Sequence, residues 1–146
     1  MITIIESCIG KSSITGIDQM DYDKALERVI MSINAEKNVD KRDILRVMPT
    51  NNQEASIFYK LDYDKSTSKA FQKLNNMIVE NVKLSDEEFM VRYLRMSPYV
   101  DGYFAEAYFD NIIFLTANNQ ELFCSSYKRL NDDEQRRLKT YSDPCQ

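Results

Sequence analysis

The side chains best suited to making specific contacts gather in the stretch 97–127. Tyr99, Tyr103, Phe104, Tyr108 and Phe109 stand close together there, and the charged residues are Asp101, Glu106, Asp110 and Glu121 alone. With neither lysine nor arginine, the stretch carries −4, the formal net charge of the whole chain. Ser97 followed by Pro98 reads as a helix start, a capping hydroxyl before a proline in the first turn. At about 100° per residue, Tyr99, Tyr103, Glu106 and Asp110 then share one stripe, with Phe109 and Ile113 on its border. Val100, Phe104, Ala107 and Leu115 fall on the neighbouring apolar face and are expected in the core. Tyrosine offers a broad, stiff contact surface at small entropic cost. Carboxylates beside it select a basic partner and hasten the encounter. Tyr99, Asp101, Tyr103, Glu106, Phe109 and Asp110 are therefore the candidate partner-binding residues.

Catalytic chemistry has less to work with. The chain contains no histidine, which removes Ser-His and Cys-His nucleophile pairs and His-ligated metals. Glu106 and Asp110, one helical turn apart, could share a divalent cation as in carboxylate hydrolases. A third ligand is lacking, since Asp101 would lie about 140° round the helix from Glu106. Gly10-Lys11-Ser12 ends like a phosphate-binding P-loop, yet Ile5 stands where that loop needs its first glycine. The tetrapeptide Asp-Tyr-Asp-Lys occurs at 21–24 and again at 62–65. No glycine-bearing loop follows either copy, so both read as helix entries rather than calcium sites. Cys8, Cys124 and Cys145 are odd in number and form no C-x-x-C. Free thiols are expected, with Cys124 filling core space beside Phe123. No catalytic residue, cofactor or metal ligand is assigned.

The elements that hold the stretch are expected to be helices. Only three glycines and three prolines punctuate 146 residues, which favours long helices over a turn-rich β fold. A content of 43% hydrophobic and 29% charged residues argues for a packed core rather than disorder. The acidic balance makes nucleic acid a poor direct partner. No apolar run approaches the roughly 20 residues needed to cross a bilayer, and the N-terminus lacks the basic and apolar regions of a signal peptide. A soluble, cytoplasmic protein is expected.

Three helix starts recur: Asp40-Lys41-Arg42-Asp43, Ser85-Asp86-Glu87-Glu88 and Asn131-Asp132-Asp133-Glu134, spaced by 45 and 46 residues. The second fits the capping box, with Ser85 as cap, and the third is a near match capped by asparagine. Each precedes a proline, at 49, 98 and 144. Ahead of the first two starts, Ala25, Leu26, Val29, Ile30 and Ile33, and then Ala70, Phe71, Leu74, Met77, Ile78 and Val82, recur at helical spacing. Asp21 or Asp23 can cap the first stretch and Ser66 or Thr67 the second. A further short helix is expected within 50–62, and a short strand or ordered arm at 2–5. The fold class is all-α, a single domain over 1–146 with helix-pair units at 21–49, 66–98 and 99–144. A period near 45 suits helical hairpins stacked in HEAT-like fashion, with an irregular helical bundle as the alternative.

The functional expectation is a protein-binding module. Its most concrete form is an acidic inhibitor, of the kind that immunity proteins of bacterial toxins represent, blocking a basic site on its partner. The rival readings are a structural or adaptor homo-oligomer that buries the tyrosine ridge against itself, and a carboxylate-metal hydrolase built on Glu106 and Asp110.

Overall fold

The computed structural model describes residues 22–146. The strand expected at 2–5, Gly10-Lys11-Ser12, Cys8 and Asp21 lie outside the described residues. Helices follow one another as α1 Tyr22–Asn34, α2 Lys41–Val47, α3 Asn52–Tyr63 and α4 Ser68–Lys83. They continue as α5 Glu87–Arg95, α6 Tyr103–Asn118, α7 Gln120–Tyr127 and α8 Asp132–Arg136, then a 3-10 turn, Lys139–Cys145. Among the described residues there is no strand, and the all-α class expected from the sequence is the one observed.

The amphipathic stretches become α1 and α4, whose apolar stripes are buried as their spacing requires. Met77 alone of the expected set is only half-buried. α4 packs against α1, α2, α3 and α5, and one buried cluster runs from Tyr22 through Phe58, Leu74, Phe89 and Ile112 to Leu138. α6 has α7 and the 3-10 turn as its main neighbours.

The caps form, with two corrections. Asp40 and Asn131 accept backbone N–H groups as expected, and Asn131 with Glu134 makes the reciprocal capping box. At the middle start the cap is Asp86, whose carboxylate accepts from the Phe89 amide. Ser85 instead takes a left-handed φ of 68°, and its hydroxyl accepts from Asn119 at 2.7 Å. Asp86 lies at the true cap position because α4 runs on to Lys83 and leaves Ser85 to make the turn. Thr67 precedes α4 without a side-chain cap bond; its hydroxyl donates to the Leu61 carbonyl at 2.7 Å and ties α3 to α4.

The recurrence also has a physical form. Arg92 of α5 donates to the carbonyls of Leu45 and Met48 at 2.7 and 3.0 Å. Arg137, just after α8, donates to those of Ser97, at 2.9 Å, and Val100. In each case a guanidinium reaches back to carbonyls at the end of an earlier short helix, α2 or α5, or just beyond it. Lys41–Asp86 and Arg129–Glu87 ion pairs, at 3.3 and 3.1 Å, join the same segments at the surface.

Candidate binding face on helix α6

The helix expected to start at Ser97 starts at Tyr103. Tertiary bonds take the Ser97 hydroxyl: it donates to the Glu134 carbonyl at 2.7 Å, so it caps nothing. Val100 is fully buried, and the Arg137 clamp fixes the carbonyls on either side of Tyr99. Gly102 then turns the chain with φ +53°, a left-handed conformation that glycine adopts without penalty. Tyr99 and Asp101 therefore leave the stripe. Tyr99 is half-buried in a separate shallow groove with Asn131, Arg136 and Arg137. The exposed Asp101 carboxylate accepts from the Gly102 amide at 2.7 Å.

Tyr103, Glu106 and Asp110 do come together. All three are exposed, and they line a groove of about 510 Å³ between α6 and the outer side of α4. Asp62, Gln72, Asn75 and Asn76 add a carboxylate and three amides, while Phe71 and Phe104 form aromatic wall. No lysine or arginine lines the groove. Phe104 is held by a stacked contact with Tyr59, centroids 4.5 Å apart, and by edge contacts with Phe71 and Tyr103. Part of this lining could be anticipated, because Gln72 and Asn76 fall on the polar side of α4 and Asn75 borders its apolar stripe. Asp62 comes from a different helix, and the sequence carries no sign that it faces Glu106.

Ala107, expected in the core, is exposed. Tyr108 takes the inward place, donating its phenol to the Tyr93 carbonyl at 2.8 Å. Burial pushes the phenols of Tyr59, Tyr93 and Tyr108 far above the usual tyrosine range, so they remain neutral. The exposed stripe continues beyond the groove through Ile113 and Phe114, 52% and 43% exposed, beside Tyr103 at 79%.

Two cations from outside the stretch lie over its aromatic rings. Lys83 places its ammonium 4.5 Å from the Phe114 ring centre. Arg137 lies 5.1 Å from that of Phe109, and Tyr141 stacks on Phe109 with centroids 5.7 Å apart. Phe109 is thus half-covered by its own chain rather than offered to a partner. The uncompensated acidic surface is the N-terminal half of α6. Among the described residues, no group of three or more Asp, Glu, Cys or His side chains is arranged to hold a metal ion.

The free-thiol expectation is corrected for two cysteines. Cys124 of α7 and Cys145 of the 3-10 turn form a disulfide with Cα atoms 5.0 Å apart. Their 21-residue separation hides the pairing from sequence, since α8 and the turn must fold back before the two meet.

Comparison with protein-family models, curated proteins and solved structures returned no match to this chain.

Proposed function

We propose that the protein is a non-catalytic binding module, an acidic inhibitor of the immunity type, whose α6 face covers a basic site on a partner protein. The observation that carries this reading is the α4–α6 groove. It joins Asp62, Glu106 and Asp110 to aromatic side chains without a basic residue in its lining. Exposed aromatic surface supplies contact area, and unopposed carboxylates supply selectivity for a cationic cleft. A nuclease toxin of bacterial origin is the most concrete partner, because such enzymes keep a cationic cleft for phosphate.

Tyr103, Ala107, Asp110, Phe114 and Ala117 are all exposed and alternate at intervals of four and three residues, the spacing of a helix-pairing seam. That pattern favours self-association as the second reading. A two-fold pairing centred on this seam would set Asp110 beside its own copy, a like-charge contact that opposes it. Light scattering on the eluting protein separates the two readings.

The inhibitor reading is tested by capturing partners on the tagged protein from its native host, beside a Glu106→Lys/Asp110→Lys control. A single stoichiometric partner, lost in the control, supports it. A partner retained by the control removes α6 from the interface. Placement in the cytoplasm belongs to the same proposal and carries a consequence: thiols there are kept reduced, so Cys124 and Cys145 would reside mainly as a dithiol.

A further inference from the structure

The Cys124–Cys145 disulfide joins the 3-10 strap to α7 at the edge of the core. We infer that it is a reversible thiol–disulfide exchange site, and that its oxidation state sets whether the 3-10 strap Lys139–Cys145 lies closed against α6 and α7. Both cysteines are half-buried rather than sealed in the core, and exchange requires a thiolate to reach one of the two sulfurs.

The strap packs along α7 and α6, but few specific bonds fasten it there. Its 3-10 geometry is intrinsically weaker than an α-helix. The Ser142 hydroxyl bonds within the strap, to the Lys139 carbonyl at 2.6 Å. The contacts that cross to the body are the Tyr141 ring on Phe109, the Gln120 amide on the Pro144 carbonyl at 3.1 Å, and the buried Ser142. Asp143, Pro144 and Gln146 are exposed. The Arg137 clamp and the buried Leu138 precede the strap in the chain and hold the bundle without it, while α6 and α7 keep each other as neighbours. Opening the strap removes Tyr141 from Phe109, which flanks Glu106 and Ile113 on α6. Reduction therefore enlarges the aromatic surface beside the acidic stripe while leaving the bundle intact.

The co-reactant is a monothiol of the glutathione class. Its thiolate attacks one cystine sulfur, forming a mixed disulfide and releasing the other cysteine as thiolate. A second thiolate attacks the reagent's own sulfur in that mixed disulfide, freeing the remaining cysteine. Two thiols are oxidised to one low-molecular-weight disulfide, the protein disulfide is reduced by two electrons, and the thiol protons pass to the two cysteine sulfurs. Oxidation runs the same steps in reverse. None of this requires that the partner be known.

The test uses the full chain carrying Cys8→Ser, so that exchange is confined to this pair, equilibrated in reduced and oxidised glutathione buffers. Peptide mapping without reductant should find the 124–145 cross-link, lost and regained as the buffer ratio changes. Hydrogen exchange should show the amides of 139–146 accelerating at least about tenfold on reduction while those of α4 stay unchanged. Cys145→Ser should reproduce the reduced pattern in either buffer. Absence of the cross-link under oxidising conditions, or equal protection of the strap in both states, overturns the proposal. So does loss of protection throughout the chain on reduction, which would make the bond a staple of the whole fold. The wild-type chain read in both buffers keeps the test decisive should Cys145→Ser fail to fold.

Discussion

α4 and α6 are each 16 residues long, yet they meet water in opposite ways. α4 is the more polar sequence and buries Ala70, Phe71, Leu74, Ile78 and Val82 between α1, α2, α3 and α5. α6 is the more apolar sequence and buries only Tyr108, Ile112 and Leu115. Its Ile113 and Phe114 remain in solvent. Apolar composition therefore does not set burial; the number of elements packed around a helix does. α4 spends its amphipathic pattern on the core, whereas α6 retains apolar and acidic surface beyond what its neighbours cover. That exposed apolar and acidic surface is what the proposed binding face rests on.

Substitutions that exchange the roles of these helices test the contrast. The largest effect is expected at α4. Leu74→Ala opens a cavity at a fully buried position and should cost about 2–5 kcal/mol in urea unfolding. A cost under about 1 kcal/mol would mean that α4 is not the hub of the core. Next comes the anchor of α6: Tyr108→Phe removes the donor to the Tyr93 carbonyl and should cost about 1–3 kcal/mol by the same measurement. The exposed residues of α6 should behave differently. Ile113→Ser and Phe114→Ser should shift unfolding by no more than about 0.5 kcal/mol. If the α6 face binds a partner, Phe114→Ser should weaken that complex by about tenfold or more in calorimetry, as truncation of an aromatic contact does. A large loss of stability without loss of binding would reverse the assignment of the two helices.

The smallest effect concerns the start of α5, the link between them. The Phe89 backbone amide, with help from Lys41, holds the Asp86 carboxyl below its ordinary range. A carboxylate with a lowered folded-state value stabilises the fold above its unfolded value, near about 4, and that contribution is lost as pH falls through the folded value. Asp86→Asn keeps a capping oxygen and removes the titration. Its melting temperature should therefore fall less steeply than wild type as pH drops below about 4. Parallel curves would show that Asp86 adds no acid sensitivity.

The α1 and α4 stripes follow from residue spacing, because a helix period of 3.6 fixes which side chains share a face before any neighbour is known. The Asn131–Glu134 box is equally local, involving four consecutive residues and their own amides. The α6 face is legible in the sequence only in part, and the reason is also physical. Tyr103, Glu106 and Asp110 lie within one helix and kept their common stripe. Tyr99 and Asp101 were lost to it because bonds from Glu134 and Arg137, remote in sequence, hold 97–102 as a loop. Phe109 was half-covered by Tyr141 for the same reason.

By itself, then, the sequence determined the helical class, the buried stripes of α1 and α4, two of three caps, and the acidity of the α6 stretch. All of these depend on neighbours within one or two helical turns. The tertiary structure decided where α6 begins, that Asp62 and the α4 amides complete its groove, that Lys83 and Arg137 lie over its Phe114 and Phe109 rings, and that Cys124 meets Cys145. Each of those depends on contacts between residues far apart in the chain, and no local period or composition encodes which distant surfaces will meet.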